Sequence, residues 1–151
     1  MITTSIRFLN ILVAALLAGV SLGIWIGFNP VHLSPSTYLE QQQNMLQALQ
    51  VLMVSLVFMA TLITILSAFL QKSNRPVFSA LLVAAGFFVA CILITRFGNK
   101  PIDDLVITWT VDSMPANWTE VRDSWWSFHR MRTITELIAL ILITWSSIKK
   151  D

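Results

Sequence analysis

The chain has 151 residues, of which 56% are hydrophobic and 12% are charged, whereas about 25% of the residues of a soluble domain are charged. This composition excludes an ordinary soluble enzyme. The formal net charge is only +2, and the basic residues form no stripe or patch, which argues against a nucleic-acid-binding surface.

Charged residues are absent from three long stretches, residues 8–39, 41–71 and 76–95. A helix needs about 20 apolar residues to cross a bilayer, and a soluble helix would carry a polar face that these stretches lack. A fourth apolar segment ends before Lys149. The sequence therefore predicts an all-α protein, a four-helix transmembrane bundle that forms a single membrane domain over residues 1–151.

The four spans are predicted at residues 6–28, 45–70, 77–97 and 117–148. The first is too long for the apolar region of a signal peptide, which has about 7–15 residues. The fourth must begin early, because residues 133–148 alone would extend about 24 Å, less than the hydrocarbon thickness of about 30 Å. Pro115 and Asn117 favour a start there. An interfacial segment is expected between the third and fourth helices, continuing into the first half of the fourth.

An even number of spans places both termini on one side of the membrane. The basic residues expected on that side are Arg7, Lys72, Arg75, Lys149 and Lys150, while the loop at residues 29–44 has no Lys or Arg. The positive-inside rule then predicts cytoplasmic termini in a bacterial inner membrane. Residues 96–132 carry five basic residues on the other side, but also five acidic ones, and a long segment is a weaker topology signal.

The fourth span carries a narrow polar stripe. At 100° per residue its members fall within about 80° of arc. They are Trp118, Arg122, Trp125, His129, Arg132 and Glu136. Ionisable groups at membrane depth are costly and normally mark functional sites, which favours a site, although Arg132 and Glu136 are spaced to form an internal ion pair instead.

Two histidines could carry chemistry. An imidazole exchanges a proton near neutral pH, so His129 is the natural proton acceptor or donor of the stripe, unless it is a buried structural residue. His32 lies in a loop on the same side of the membrane, and the pair could hold a haem, or a metal together with Glu40, Asp103 or Glu136. No spacing matches a known ligand motif, so no metal ligand is assigned and no cofactor is expected.

The segment after the third span combines breaker residues with polar side chains. Gly98 and Pro101 are predicted to end that span. Asn99 and Asp103 would then supply an amide and a carboxylate to the membrane edge near the stripe. Composition alone favours the simpler interpretation, ordinary turn chemistry.

Glycine and glutamine repeats mark two helical faces. Gly19, Gly23 and Gly27 recur every four residues and predict close helix packing, within the bundle or between the subunits of a homo-oligomer. A second set at the start of the second span consists of Gln43, Gln47 and Gln50. These amides either line the mouth of a pocket or hydrogen-bond to a neighbouring helix.

Taken in order, eleven residues from the end of the third span and from the fourth span follow a known pattern. They are Asn99, Pro101, Asp103, Asp104, Leu105, Trp118, Arg122, Trp125, His129, Arg132 and Thr133. The chain thereby resembles the anthrone oxygenase-like family of small four-helix membrane proteins. The usual pattern there is Asn-x-Pro-x-Asn-x-x-Leu, then Trp-x-x-x-Arg-x-x-Trp, then Asn or His three residues before Arg-Thr. Asp103 and Asp104 stand where the family often has Asn, so no amide-specific role is expected there.

The resemblance implies an oxygenase that needs no metal or flavin and converts an anthrone, a small apolar aromatic substrate, to an anthraquinone with dioxygen. His129 or Asp103 would act as the base, and Arg122 and Arg132 would stabilise the enolate and the developing peroxide charge. Pocket walls are assigned to Trp118 and Trp125. Further substrate contacts are assigned to Asn99, Glu136 and Gln47.

Two other functional classes remain open from the sequence. A non-catalytic membrane module would pair all its polar groups internally and leave no cavity. A redox protein that binds haem or a quinone would depend on His32 and His129. The inverted repeats and broken helix pairs of many transporters are not evident.

Overall fold

The structure, a computed structural model, describes residues 2–149, which are helical over most of their length and contain no strand. Lys150, one of the basic residues used to predict the topology, lies outside this range. The helices are α1 (Ile2–Gly27), α2 (Pro35–Leu70), α3 (Arg75–Ile94), α4 (Lys100–Val106) and α5 (Trp118–Ile148). Short 3₁₀ turns occur at Pro30–His32 and Val111–Ser113. The all-α prediction is confirmed.

Four helical stretches are long and apolar enough to cross a membrane. They are Ile2–His32, Pro35–Leu70, Arg75–Val106 and Trp118–Ile148. Large apolar side chains such as Phe8, Ile26 and Phe69 are exposed on the outer surface, where they suit contact with lipid rather than water. The protein is an integral membrane protein built as a four-helix bundle.

The bundle is closed in the order α1, α2, α3, α5, because α1 and α3 each pack against both α2 and α5. Small buried residues stand at these contacts, including Ala14, Ala60, Ala84 and Ala139. Between membrane helices there is little hydrophobic driving force, so close van der Waals packing over small residues holds the helices together.

Helix α2 begins ten residues before the predicted position, so the prediction of a loop up to residue 44 is wrong. The side-chain oxygen of Ser34 accepts a hydrogen bond from the backbone N–H of Thr37 at 3.3 Å, and Pro35 follows as the first helical residue. Ser at the N-cap and Pro at the first position are strong helix-start signals. The helix consequently projects beyond the apolar run and carries polar residues to the edge of the bundle.

The third span does not end at Gly98 and Pro101 as predicted. Its backbone widens into a π-helical turn at Thr95–Asn99 and continues as α4 to Val106. Local π adjustments allow a proline inside a membrane helix because they re-satisfy the affected backbone groups. Gly98 has a packing role, since a Cβ atom there would lie 2.6 Å from Cγ of Phe128 on α5.

The glycine face of α1 does not pack inside the bundle. Beyond the backbone of α1 itself, no atom of residues 2–149 lies within 4 Å of the positions where Cβ atoms would stand on Gly19, Gly23 and Gly27, so the expectation of packing within the bundle is wrong. Contact with a second copy of the chain stays a prediction. The start of α5 at Trp118 agrees with the prediction from Pro115 and Asn117 to within one residue.

Candidate functional site

A cavity of about 280 Å³ lies in the half of the bundle away from the termini, near the lower end of the range of about 300–1,000 Å³ typical of ligand pockets. Helices α1 to α5 and the π-helical turn all contribute to its wall. One side is apolar and includes Ile24, Leu49, Met53, Val57 and Ile92. The other side carries the polar groups described below.

Four of the nine predicted site residues meet at this cavity. They are Asn99, Asp103, Trp125 and Arg132. The other five predicted residues do not line the cavity. They are Trp118, Arg122, His129, Glu136 and Gln47.

The carboxylate of Asp103 is oriented by a tryptophan. Nε1 of Trp125 donates a hydrogen bond of 2.7 Å to Oδ1 of Asp103, and the indole itself is buried. The other carboxylate oxygen, Oδ2, has no hydrogen-bond partner among residues 2–149. An ionised carboxylate has several lone pairs to offer, so Asp103 retains the capacity to accept a proton from a molecule in the cavity.

His129 is fully buried and both of its ring nitrogens are engaged. Nδ1 lies 3.3 Å from Nε and 3.1 Å from Nη2 of Arg132, and Nε2 lies 3.1 Å from the backbone oxygen of Ser21. Because a carbonyl only accepts and a guanidinium only donates, the proton belongs on Nε2 and the lone pair of Nδ1 faces Arg132. The ring also stacks on Trp125, with centroids 5.2 Å apart.

Arg132 is a cation with no anionic partner in the described part of the chain. Its hydrogen bonds go only to His129, and no carboxylate oxygen of residues 2–149 lies within 4.0 Å of its guanidinium. The ion pair with Glu136 that the sequence allowed is therefore not formed. The guanidinium N–H groups of Arg132 that do not bond to His129 can donate hydrogen bonds to an anionic oxygen of a molecule in the cavity.

Asn99 occupies the last position of the π-helical turn and is buried. Its Nδ2 donates to the backbone oxygen of Trp125 at 3.1 Å, while its Oδ1 is buried without a partner among residues 2–149. A buried polar atom left unpaired costs about 1–3 kcal/mol. The expectation of ordinary turn chemistry for this segment is wrong, because Asn99 and Asp103 stand on a continuous helix that faces the cavity.

Arg122 and Trp118 form a separate cluster. Nε of Arg122 donates to Oδ1 of Asp123 at 2.8 Å, and Nη1 donates to the backbone oxygen of Val31 at 3.3 Å. The guanidinium lies 5.1 Å from the Trp118 ring centroid, and Trp118 stacks on Tyr38 at 5.5 Å. These contacts tie the connection after α1 to the start of α5.

The remaining two predicted residues, Glu136 and Gln47, lie away from the cavity, one inside the bundle and one on its surface. Glu136 is fully buried in the bundle, where its Oε1 accepts from Sγ of Cys91 at 3.1 Å. Gln47 is exposed, and Gln50 lines the cavity in its place. Gln43 donates to the backbone oxygens of Val106 and Trp109, both at 2.9 Å, and so links α2 to the end of α4.

Sequence reasoning missed two polar residues near the start of α2. Tyr38 and Gln42 are fully buried, and the Tyr38 hydroxyl and both Gln42 amide atoms have no partner among residues 2–149. Recognising Ser34 and Pro35 as a helix start would have placed both residues on one helical face, since they are four apart. The sequence analysis also did not assign Arg96 and Lys100, which line the cavity, to the site.

The two histidines considered from the sequence lie in different surroundings. His32 is exposed in the turn after α1, whereas both nitrogens of His129 are already engaged. Within residues 2–149 no group of three or more His, Cys, Asp or Glu side chains is placed to hold a metal ion. A haem or metal bound through these two histidines would require His129 to give up its present contacts, and the expectation that no cofactor is bound stays a prediction.

Comparison with known proteins places the chain in a family. The model of the family described as anthrone oxygenase matches residues 43–142. The chain belongs to the anthrone oxygenase family. The match covers most of α2, all of α3 and α4 and most of α5, and it includes Asn99, Asp103, Trp125 and Arg132. No curated protein and no solved structure matches the chain.

Proposed function

We propose that this protein is a cofactor-independent oxygenase that oxidises an anthrone-type carbon acid with dioxygen. One observation carries the proposal: the same cavity is lined by a carboxylate with a free oxygen, Asp103, and by an arginine without an anionic partner, Arg132. Membership of the anthrone oxygenase family supports the reaction class. The apolar remainder of the wall supports an aromatic substrate.

The first step is removal of a proton from carbon. Oδ2 of Asp103 accepts a C–H proton from the methylene group beside the aromatic rings, and the electron pair left behind delocalises onto the substrate carbonyl oxygen as an enolate. Arg132 stabilises that negative oxygen with its free N–H groups. Hydrogen-bond donors that are already oriented toward the charge that develops in the transition state often make the largest single contribution to catalysis. A correctly positioned general base increases the rate further.

The second step consumes dioxygen. The enolate passes one electron to O₂, and the resulting carbon radical and superoxide combine to form a peroxide anion on the former methylene carbon. The protonated Asp103 returns its proton to this anion, which gives a hydroperoxide and restores the carboxylate. The Asp103 carboxylate then removes the second C–H proton, and that electron pair forms the new carbonyl bond as the O–O bond breaks. The departing hydroxide takes the proton from Asp103 and leaves as water. The four electrons that the methylene group loses reduce both oxygen atoms, so no external reductant is needed.

Three neighbours support these two groups. Trp125 orients Asp103 through its indole N–H, and His129 holds Arg132 through Nδ1. Asn99 holds Trp125 in place, because its Nδ2 donates to the backbone oxygen of that residue at 3.1 Å. In this proposal Asp103, rather than His129, is the base, because both nitrogens of His129 are occupied and the ring does not line the cavity. Arg122, Trp118, Glu136 and Gln47 are given no part in the reaction.

The competing non-catalytic module fits the structure less well. It requires that internal polar groups pair completely and leave no space between the helices. Instead the bundle contains the cavity, and Oδ1 of Asn99 and Oε2 of Glu136 are buried without partners among residues 2–149.

Oxygen uptake by the purified protein with an anthrone tests the function. Asp103→Asn should reduce the rate by about 10²–10⁴-fold, the usual contribution of a general base. The matched control is Asp104→Asn, because Asp104 is exposed, pairs with Lys100 and does not line the cavity; its rate should be unchanged. Absence of uptake by the parent protein, or equal rates for both variants, would refute the assignment.

The predicted topology remains part of the proposal. The basic residues at the terminus side would face the cytoplasm, and the cavity, which lies at the opposite end of the bundle, would then belong to the outer half of a bacterial inner membrane. Labelling of single cysteines in intact cells checks this orientation. A cysteine in the 71–74 turn should be protected from a reagent that does not cross the membrane, whereas one in the Val111–Ser113 turn should react.

A further inference from the structure

The cavity has an opening on the side of the bundle. Val54 and Phe58 line the cavity, yet 44% and 52% of their surfaces are exposed. Across from them on α3, Ile92 also lines the cavity. Residues that belong both to the wall and to the outer surface mark the mouth, which therefore lies between α2 and α3.

The depth of the mouth follows from the charge pattern of α2. Val54 and Phe58 lie near the middle of the uncharged stretch at residues 41–71, which extends about 46 Å at 1.5 Å per residue. The middle of such a stretch faces hydrocarbon when the helix spans a bilayer about 30 Å thick. The mouth consequently faces lipid tails rather than water.

The polar end of the cavity lies at a different level. Arg96 and Lys100 stand just after the uncharged stretch at residues 76–95 and line the cavity together with Asp103. The cavity thus runs from hydrocarbon depth at Phe58 to charged residues near the membrane edge. An amphiphile dissolved in the bilayer has the matching polarity, with its polar group at the interface and its apolar part in the hydrocarbon.

We propose that the substrate enters this cavity laterally from the hydrocarbon layer, between α2 and α3, past Val54 and Phe58. Its carbonyl oxygen then points toward Arg132, its methylene group lies beside Asp103, and its apolar outer ring extends toward the lipid-facing mouth. The substrate class is therefore an apolar molecule that partitions into the bilayer. This inference rests on the proposed function only for the choice of probe, because binding and entry can be measured without turnover.

The first experiment measures binding of 1,8-dihydroxyanthraquinone, a product-like probe that has no methylene group to oxidise, to protein in lipid nanodiscs. Val54→Trp narrows the mouth and should weaken binding about tenfold or more, because overpacking a closely fitted site costs this much. Val51→Trp is the matched control, since Val51 is 78% exposed on the same helix and does not line the cavity. Equal effects of the two variants would contradict entry at this mouth.

The second experiment uses the parent protein and needs no variant. Emission from the bound probe should be quenched by lipids that carry a nitroxide at mid-chain, and should be insensitive to iodide in the aqueous phase. Quenching by iodide alone, or no binding of the probe, would overturn the inference. Binding with the expected quenching but no oxygen uptake from an anthrone would instead refute the oxygenase function and leave the lateral entry standing.

Discussion

The two halves of the bundle place their polar side chains in different surroundings. On the terminus side, Gln71 is fully satisfied: its Oε1 accepts from Nε of Arg7 at 2.6 Å, and its Nε2 donates to the backbone oxygen and the hydroxyl of Ser67. On the cavity side, Asn99 keeps an unpaired buried oxygen, and Arg132 has no anionic partner among residues 2–149.

This contrast distinguishes polar side chains that hold helices together from polar side chains that can bind a substrate. Polar side chains at membrane depth occur in both halves, so their presence alone identifies no site. In the terminus-side half, Gln71 bonds to Arg7 and Thr64 donates to Oδ1 of Asn10, contacts that join neighbouring helices and stabilise one arrangement. Only Nδ2 of Asn10 is buried there without a partner among residues 2–149. In the cavity half, Asp103 and Arg132 keep an unpaired oxygen and unpaired N–H groups on residues that line the cavity, where a bound molecule can pair with them.

After loss of the base Asp103, the largest expected effect comes from loss of the unpaired cation, Arg132, in the cavity half. Arg132→Gln should lower oxygen uptake with an anthrone by about 10²–10³-fold, because the enolate loses its main electrostatic stabilisation. Arg130→Gln is the matched control on the same helix, since Arg130 is exposed and does not line the cavity. A similar rate for both variants would contradict the role of Arg132.

The packed half should respond in stability but not in activity. Leu81→Ala leaves a void beside a fully buried position and should lower the free energy of unfolding by about 2 kcal/mol. This is the low end of the range for such changes, because lipid solvates an apolar side chain as well as the protein interior does. Leu82→Ala, at a residue 41% exposed toward the outside, should change stability by less than about 0.5 kcal/mol.

Thermal unfolding in micelles, followed by tryptophan fluorescence, measures this pair. Oxygen uptake below the unfolding temperature should be the same for Leu81→Ala and for the parent protein. A selective loss of activity in Leu81→Ala would show that the two halves are coupled and would break the contrast between them.

Gly98 lies where the cavity half meets α5, and a methyl group there should strain the contact. Gly98→Ala places Cβ against the Phe128 ring and should destabilise the protein by about 1–3 kcal/mol. Gly86→Ala is the control, because no atom of the described residues outside the backbone of α3 lies within 4 Å of its Cβ position. That change should be neutral or should stabilise the helix by up to about 1 kcal/mol. The difference between the two melting temperatures measures the strain.

The smallest effect is expected at His129. His129→Phe keeps a ring that can stack on Trp125 but removes the acceptor that holds Arg132, and should lower the rate about tenfold, the factor that corresponds to 1.36 kcal/mol in the barrier. Combined with Arg132→Gln it should cause little further loss, because residues in one network are not additive. A loss as large as that of Asp103→Asn would instead indicate that His129 is the base.

Local sequence signals predicted the elements that depend on local composition. The uncharged stretches indicated the number of spans and the membrane environment, and Pro115 and Asn117 located the start of α5 to within one residue. The wrong predictions, the start of α2 and the end of the third span, arose where neighbouring residues gave conflicting local signals. Ser34 and Pro35 were obscured by the neighbouring loop residues, and Gly98 and Pro101 predicted a break that the π-helical turn avoids.

The stripe on α5 illustrates why the site itself could not be predicted in full. Its six residues share one face, but from Trp118 to Glu136 they extend about 27 Å along the helix, and each level meets different neighbours. Trp125 and Arg132 meet the cavity, Arg122 meets the connection after α1, and Glu136 meets Cys91 in the core.

The sequence by itself determined that this protein is a four-helix membrane bundle of the anthrone oxygenase family with a polar face on its last helix. These properties depend on composition and on motifs close together in the chain. Only the tertiary structure decided which polar groups stay open, because their partners come from distant segments. The carbonyl that occupies His129 belongs to Ser21, 108 positions earlier, and the carboxylate that shares the cavity with Arg132 comes from a different helix. Helix packing, rather than helical periodicity, therefore separates the residues proposed to react from those that hold the bundle together.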